Sequence, residues 1–369
     1  MILEPEAGNL LRLSLIPGVG PRAVHALLER FGDPARIFTA SLEELKRVDG
    51  IGSKTAERIV ASTPAEVDSA LAHCARLGVE PIFKGADPYP KLLAEIPDPP
   101  PVLYMKGSIT SADALAIAIV GSRRSTPYGV RVAERLGASL ARVGFTVVSG
   151  LARGIDTAAH RGALKAGGRT IAVLANGLES IYPPENEGLA AEIITSGALI
   201  SESRLDQEPR AGLFPQRNRL ISGISLGVVV VEASPRGGSL STARHAGEQN
   251  REVFAVPGPI DSLSSRGCHA LIRDGAKLVE TIDDILEELG PLGQKIQLMP
   301  DSPEVRHPAE LKLSEQERSI LAMIDPGPVT IDELIVRTRL TASQVMATLG
   351  VLEMRRLIRR LGGQQFVRA

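Results

Sequence analysis

Six short, unbroken apolar runs alternate with helix-length segments between Leu115 and Leu289 of this chain. Apolar runs without polar interruption are typical of strands that are covered on both faces, and the segments between them suit crossover helices. Right-handed crossovers then give an open, doubly wound parallel α/β sheet. The runs are LAIAIVG from residue 115, TVVS from 146, TIAVLA from 170, ALIS from 198, GVVVVEA from 227 and EVFAVPG from 252.

Smaller modules flank this sheet on both sides. The first part of the chain has short helical segments broken by Gly pairs. The last part has three short helical segments followed by LIRRLGGQQFVRA, a predicted β-hairpin with a Gly-Gly turn, and this pattern is typical of a winged helix. We therefore predict four parts: residues 1–80 as a helical domain, 81–290 as an extended Rossmann-like domain, 291–310 as a linker, and 311–369 as a winged-helix domain.

Two glycine turns in the first part match the helix-hairpin-helix pattern of SAM-like domains. They are Ile16-Pro-Gly-Val-Gly20 and Val48-Asp-Gly-Ile-Gly52. The free N–H groups of the helix that follows each turn can hold a DNA phosphate, and Lys54 and Arg58 could support the second turn. Alternatively, the glycines only allow tight turns between packed helices. Residues 1–82 contain nine basic and eleven acidic side chains, which weakens the DNA-binding interpretation.

The overall charge is nearly balanced and does not by itself identify a partner. Lys and Arg total 42 and Asp and Glu total 43, a net charge of −1, so the bulk field does not indicate a polyanion. Arg outnumbers Lys by 33 to 9, which favours phosphate binding and base stacking, although a GC-rich genome gives the same bias. Aromatic residues make up 3% of the chain and Trp is absent, which excludes a long base-stacking platform.

Cysteine content and hydrophobicity indicate the compartment. Cys74 and Cys268 are the two cysteines and lie far apart, which excludes a disulfide scaffold and a cysteine-rich zinc site and fits a reducing cytosol. No stretch approaches the ~18 unbroken apolar residues of a membrane span. The opening residues MILEPEAGNLLRLSL lack the basic start of a secretory signal. We expect a cytoplasmic protein without a membrane span.

Two loops follow the first two apolar runs and are candidate ligand sites. Gly121, Ser122 and Arg123 come directly after the first run, where backbone N–H groups can face an anion and a guanidinium can add a charged fork. The loop is neither GxGxxG nor a Walker A sequence, so a general phosphate cradle is expected rather than a dinucleotide site. An ordinary strand-to-helix turn is the alternative. Ser149 and Gly150 end the second run, at the edge where open α/β sheets place ligands.

Asp156 and His160 are four residues apart and share one face of a predicted helix. They could form an acid–base pair or half of a metal site. No third ligand stands at a useful spacing, so we predict structural roles for both, and the chain has no GxSxG elbow for a hydrolase. The sequence therefore predicts neither a catalytic centre nor a metal site.

The segment from Phe214 to Gly223, FPQRNRLISG, is unusually polar. Phe214 can stack on a base, Arg217 and Arg219 can hold phosphates, and Asn218 can contact a base edge. Such polar density speaks against a core helix, and the alternative is a surface loop with an ion-paired face. A second Gly-rich turn, GGSLSTA from residue 237, follows a later run, so the edge is predicted to form a long crevice.

The ordered set of these motifs resembles the DNA-processing protein A family, also called Smf. The resemblance implies a recombination mediator of natural transformation, active in competence, which binds incoming single-stranded DNA, protects it and loads the RecA recombinase. It implies no enzymatic activity and no cofactor. The matching motifs are GSR from residue 121, TPYG from 126, SGLARGID from 149, YPPEN from 182, FPQRNRLISG from 214, GGSLSTA from 237 and REVFAVPG from 251.

The resemblance also assigns residues. A homodimer and RecA contacts are implied near the end of the α/β domain, at His269, Ile272 and Leu278. The implied single-stranded-DNA-binding positions are Gly121, Ser122, Arg123, Ser149, Gly150, Phe214, Arg217, Asn218 and Arg219.

Two alternatives share the fold class. One is a nucleotide-hydrolysing enzyme similar to the cytokinin-activating phosphoribohydrolases, which carry a catalytic Glu directly after a PGGxGT turn. In this chain the turn and the start of the helix after it, GGSLSTARHAG, contain no acid, and the first one is Glu248, well into the helix, which argues against hydrolysis. The other is a nucleotide-binding sensor without enzymatic activity.

Overall fold

The computed structural model of the chain describes residues 3–293, 313–324, 329–338, 340–354, 357–361 and 365–368. The chain forms two compact units, Met1–Asp284 and Ile285–Ala369. Among the described residues, no helix is both long and apolar enough to cross a membrane.

Six helices form the first part of the first unit. Gly18 and Gly50 have φ values of 93° and 79°, a left-handed conformation that glycine adopts without steric cost. Gly20 and Gly52, two residues on, are the N-caps of the second and fifth helices, so the tandem helix-hairpin-helix prediction is confirmed. The helices are α1 (Pro5–Leu15), α2 (Pro21–Phe31), α3 (Pro34–Ile37), α4 (Leu42–Lys46), α5 (Ser53–Ala61) and α6 (Pro64–Leu77).

A nine-stranded sheet follows, with helices in its crossovers. The strands are β1 (Glu80–Phe83), β2 (Val102–Gly107), β3 (Ala116–Gly121), β4 (Thr146–Ser149), β5 (Thr170–Val173), β6 (Ala198–Ser201), β7 (Gly227–Val231), β8 (Glu252–Ala255) and β9 (Lys277–Leu278). The helices are α7 (Lys91–Ala94), α8 (Pro127–Arg142), α9 (Ile155–Lys165), α10 (Glu187–Ser196), α11 (Leu213–Ile224), α12 (Gly238–Glu248), α13 (Arg266–Arg273) and α14 (Ile282–Gly293), with 3₁₀ turns at Ser111–Ala114 and Pro184–Asn186.

The strand order is β1-β2-β6-β5-β4-β3-β7-β8-β9. All neighbours from β6 to β9 pair in parallel, and the six predicted apolar runs are the strands β3 to β8. Central strand residues such as Val147 and Val229 are fully buried, as the doubly wound prediction requires. β1 and β2 add an antiparallel extension beside β6, which the sequence pattern did not reveal.

The N-terminal helices share a hydrophobic core with one side of the sheet. Leu11 and Leu13 of α1 belong to the same buried cluster as Leu174 and Leu199, which lie at β5 and β6. Tyr104 of β2 is also part of this cluster. Burial of apolar side chains from both parts attaches the helix-hairpin-helix region firmly to the sheet.

From residue 313 onward, the described part of the second unit has three helices and a small sheet, as the winged-helix prediction requires. The helices are α15 (Glu315–Ile324), α16 (Ile331–Thr338) and α17 (Ala342–Met354), and the strands β10 (Val329–Thr330), β11 (Ile358–Leu361) and β12 (Gln365–Arg368) have the order β10-β12-β11. The predicted Gly-Gly turn and most of the predicted linker lie outside the described residues. α14 continues to Gly293, so helix covers the first three linker positions.

Candidate nucleic-acid interface

The carboxyl ends of the parallel strands meet at one edge of the sheet. From β3 the chain proceeds first through β4, β5 and β6 on one side and then through β7, β8 and β9 on the other. The adjacent strands β3 and β7 therefore form the topological switch point, where open α/β sheets bind ligands. The loops after β3, β4 and β5 and the first turn of α11 all reach this edge.

Two aromatic rings and two guanidinium groups form a continuous cluster at this edge. The Arg123 guanidinium lies 4.7 Å from the centre of the Phe214 ring. The Phe214 and Tyr182 ring centres are 5.7 Å apart with an interplanar angle of 54°, and Arg153 lies 6.0 Å from the Tyr182 ring centre. Arg123 and Arg153 are exposed and both rings are partly exposed. Cation–aromatic contact holds these side chains in place. We call these four residues the edge cluster.

Sequence reasoning did not select Tyr182 or Arg153 as site residues. Both stand in family motifs, and Tyr182 belongs to a loop that follows a predicted strand, which was the available signal. Arg153 also pairs with Glu185, its Nη2 donating to Oε2 at 2.9 Å. This hydrogen bond is the main cause that raises the pKa of Arg153 and lowers the pKa of Glu185.

The Gly150 loop is held by two buried charged side chains. Arg217, which is 4% exposed, donates from Nη1 to the Gly150 carbonyl at 2.9 Å and to the Val173 carbonyl. Asp156 Oδ2 accepts from the Gly150 N–H at 3.1 Å. Burial lowers the pKa of Arg217 to about 10 and raises that of Asp156, and each charge partly offsets the other's shift. Leu151, the next residue, has a φ of 56°, so the loop is backbone-strained.

The structure corrects the prediction for the segment that begins at Phe214. Polar density was expected to exclude a core helix, yet Leu213–Ile224 is helical and both of its arginines are buried. Arg219 pairs with Glu202 and lies 3.4 Å from Asp98. Charged partners make such burial possible.

Three positions expected to contact DNA therefore have interior side chains. Arg217 and Arg219 are committed to the internal partners described above. Ser149 is fully buried, and its hydroxyl donates to the Ile119 carbonyl at 2.6 Å. The side chains of these residues position the edge rather than face solvent.

The Gly121 loop is fixed between neighbouring elements. A Cβ at Gly121 would lie 1.9 Å from the Val231 carbonyl oxygen, so only glycine fits. Ser122 Oγ accepts from the Arg124 N–H at 3.1 Å, and its carbonyl accepts from the Ile155 N–H at 3.2 Å. These bonds leave Arg123 at the exposed tip of the loop.

Asn218 lies one helical turn beyond Phe214 and is partly exposed. Its Nδ2 donates to the Gly238 carbonyl at 3.3 Å, which connects α11 to the first residue of α12. Asn218 thereby lies between the edge cluster and the second Gly-rich turn.

The predicted structural roles of Asp156 and His160 are confirmed. Both are buried, and Asp156 holds the Gly150 loop as described. The His160 Nδ1 lies 2.7 Å from Thr170 Oγ1, and burial lowers the pKa of His160 to about 3. No cluster of three or more His, Cys, Asp or Glu side chains suited to a metal ion occurs among the described residues.

The two helix-hairpin-helix turns are joined by Arg58. Its Nη1 donates to the Pro17 carbonyl of the first turn at 2.9 Å. Arg58, which was expected to support a phosphate at the second turn, thus has a structural contact. Lys54 is exposed.

The predicted dimer residues lie near the last strand of the sheet. His269 Nε2 is 3.0 Å from the Gly258 carbonyl. Leu271 and Ile272 are both partly buried and pack against the core, so neither fully faces outward. Leu278 is 40% exposed and lies on β9 at the end of the strand order.

Comparisons with known proteins place this architecture in a family. The family model described as DNA recombination-mediator protein A matches residues 80–290. The DprA winged helix domain matches residues 304–364, and a SAM-like helix-hairpin-helix tandem matches residues 10–62.

Individual proteins agree with the family match. Protein Smf from Synechocystis is 33% identical over 98% of this chain and 99% of its own length. Protein Smf from Escherichia coli is 43% identical over 69% of this chain and 68% of its own. The structure of DNA processing protein A from Streptococcus pneumoniae has a TM-score of 0.67 and 34% identity and covers 78% of this chain and 99% of that one.

The structure describing single-stranded DNA binding by DNA processing protein A from Helicobacter pylori has a TM-score of 0.52 and 32% identity, with 57% of this chain and 95% of that chain covered.

The fold and its edge define an extended Rossmann-like protein flanked by helix-hairpin-helix and winged-helix parts. The chain belongs to the DNA recombination-mediator protein A family, known as DprA or Smf.

Proposed function

We propose that this protein is a cytoplasmic, single-stranded DNA-binding recombination mediator that protects incoming DNA and loads RecA during natural transformation. The observation that carries the proposal is the edge cluster, in which exposed Arg123 lies against the Phe214 ring and Phe214 against Tyr182. A guanidinium beside partly exposed rings suits a phosphate followed by unstacked bases. Single-stranded DNA binding by the H. pylori relative supports this proposal.

Each part of the edge has a distinct role in the proposal. Arg123 holds a phosphate through its charge, while Phe214 and Tyr182 offer ring faces and edges to bases. Gly121 and Gly150 keep these loops in place, because a Cβ at either position would clash with the Val231 carbonyl or the Arg217 guanidinium in the interior. The fixed loops hold Arg123 in position to meet the DNA strand.

Exposed arginines lie on the loops of this edge, although the overall net charge is −1. Arg123 and Arg124 are exposed on the loop after β3, and Arg236 is exposed on the loop after β7. Arg153 contributes less because Glu185 pairs with it. Exposed guanidinium groups of this kind favour sequence-independent phosphate contacts.

The proposal includes a homodimer that contacts RecA near the end of the α/β domain. Leu278 provides partly exposed apolar surface on the last strand of the sheet. His269 and Ile272 lie on α13, which precedes this strand. A partly exposed Leu on an edge strand fits an interface between copies of this chain.

The nucleotide-hydrolysing alternative lacks support at its expected position. Glu248 is the last residue of α12, about 15 Å from the start of the helix at 1.5 Å per residue. It is exposed and lies 3.3 Å from His245 and 3.7 Å from Arg244. This carboxylate is remote from the second Gly-rich turn, where a hydrolytic residue would act.

Fluorescence anisotropy with a labelled oligo-dT tests the proposal, with unlabelled duplex and dTMP as competitors. We expect unlabelled oligo-dT to compete strongly, duplex weakly and dTMP negligibly. Strong competition by dTMP would favour a nucleotide-binding protein, and equal competition by duplex would contradict single-strand preference. Assembly of RecA on the bound strand, followed by its ATPase activity, tests the loading step.

A further inference from the structure

We propose that a pocket near the edge cluster binds a guanine base of the DNA strand, an inference that rests on the proposed function. The pocket has a volume of about 500 Å³, which is within the usual ligand-site range of ~300–1,000 Å³. Its principal lining residues are Thr126, Tyr128, Glu232, Pro257, Pro259 and Ser265. We call it the Glu232 pocket.

The Glu232 pocket and the edge cluster lie on opposite sides of the Gly121 loop. Glu232 directly follows β7 and Pro257 closely follows β8, whereas Tyr182 and Arg153 belong to the loops after β5 and β4. β3 separates β4 from β7 in the strand order of the sheet. A DNA strand held at Arg123 can therefore extend toward either side. The pocket is therefore placed to receive a base from the same strand.

Glu232 has a fixed and unusual conformation. It is 5% exposed and has a φ of 57°, a strained conformation for a residue with a side chain, of the kind that concentrates at functional sites. Its carboxylate accepts from the Thr126 N–H at 2.8 Å and from the Thr126 hydroxyl. A Cβ at Gly129 would lie 2.4 Å from this carboxylate, so the glycine provides its space.

The walls of the pocket suit a planar, largely apolar group. Tyr128 is 41% exposed, and its hydroxyl donates to the Pro257 carbonyl at 3.1 Å, which restrains the ring. Pro257 and Pro259 add flat apolar surface. Ile260, on the same loop, is 87% exposed. Aromatic and apolar surfaces of this kind stack on nucleobases.

The carboxylate selects among bases by its chemistry. An ionised carboxylate only accepts hydrogen bonds and has about four acceptor sites, of which Thr126 uses two. Guanine presents two adjacent donors, its ring N1–H and its exocyclic amine, and can fill the remaining sites together. Thymine presents one N–H between two carbonyl oxygens. A carboxylate repels these oxygens, because all of them carry partial negative charge. The Glu232 pocket should therefore favour guanine over thymine.

The test compares a labelled oligo-dT with the same oligonucleotide carrying isolated dG substitutions. For the unaltered protein we expect the dG-containing strand to bind about tenfold more tightly, the usual scale for a bidentate base contact. Glu232→Gln and Tyr128→Ala should each reduce this ratio toward one. Tyr128→Ala leaves the Thr126–Glu232 contact intact, so it remains informative if Glu232→Gln fails to fold. Phe214→Ala is the matched control and should weaken both strands while preserving their ratio.

Failure of this inference is distinguishable from failure of the proposed function. Tight but equal binding of both strands would overturn the guanine pocket and leave single-strand binding in place. A dG preference that survives in both pocket variants would place the discrimination elsewhere and overturn it as well. Binding of GMP alone, with no dG advantage in the strand, would assign the pocket to a free nucleotide instead. Binding of neither strand would contradict both proposals.

Discussion

Arg217 and Asp156 hold the same glycine from its two backbone groups. Arg217 donates to the Gly150 carbonyl at 2.9 Å, and Asp156 accepts from the Gly150 N–H at 3.1 Å. Arg217 packs so closely that a Cβ at Gly150 would lie 2.6 Å from its guanidinium. Residues of two helices, Arg217 of α11 and Asp156 of α9, thus fix the carboxyl end of β4 beneath the edge cluster.

Replacing Arg217 should primarily reduce stability. Arg217→Met leaves the Asp156 carboxylate buried without its counter-charge and two carbonyl groups unpaired. We expect a loss of about 3–5 kcal/mol in the free energy of unfolding, measured by urea denaturation. Adding Asp156→Asn to this variant should recover part of the loss. A loss below about 0.5 kcal/mol, typical of surface positions, would contradict the structural role.

His160 should make stability depend on pH in the acidic range. Its pKa is lowered from 6.5 to about 3 by burial, so the folded protein holds a neutral imidazole while the unfolded chain binds a proton. The contribution of neutral His160 to the free energy of unfolding is therefore fully present above pH 6.5. It decreases by roughly 1.4 kcal/mol per pH unit as the pH falls from 6.5 toward 3. The difference in unfolding free energy between the unaltered protein and His160→Gln should narrow over that range. A constant difference would show that His160 does not carry the effect.

Phe214→Ala should weaken single-strand binding. Loss of one base-stacking contact reduces the binding free energy by roughly 1–3 kcal/mol. Arg123 and Tyr182 also lose their contacts with the Phe214 ring. Anisotropy and melting temperature should be measured on the same variant. Phe38→Ala is a matched control, since Phe38 also lies under a guanidinium, that of Arg12, at 3.8 Å. A lowered melting temperature with unchanged affinity would make Phe214 only a packing residue.

Leu278→Asp should produce a folded monomer. Leu278 is 40% exposed on the last strand of the sheet, so a charge there should oppose association more than folding. Ile272 is a less suitable site because it packs against the core. Light scattering measures the mass of the particle, and circular dichroism shows whether the variant is folded. Leu42→Asp is the control, because Leu42 is exposed to a similar extent, at 39%. A Leu278→Asp protein that remains dimeric would remove this residue from the interface.

The sheet was predictable because its signal is local. The runs that became β3 to β8 are apolar throughout, and burial on both faces allows no other pattern. The extension by β1 and β2 was missed because Glu80, Pro81 and Lys106 interrupt its strands and it pairs antiparallel. Winged-helix elements were predictable for the same local reason, since their helices are separated by clear breaks.

The site was only partly predictable because its contacts are distant in sequence. Arg219 is buried by means of Asp98 and Glu202, and neither partner is visible from the local pattern of α11. Tyr182 reaches Phe214 only after the sheet has folded. Arg123 could be predicted, because a residue directly after a central strand must lie at the carboxyl edge.

The salt dependence of oligo-dT binding tests the central claim most directly. Each single-strand phosphate that the protein neutralises adds about −0.7 to the log–log slope of affinity against salt. We expect Arg123→Ala to make the slope shallower by about 0.7, while Arg142→Ala, an exposed arginine at the opposite end of α8, leaves it unchanged. Equal slopes for all three proteins would contradict a strand held at Arg123.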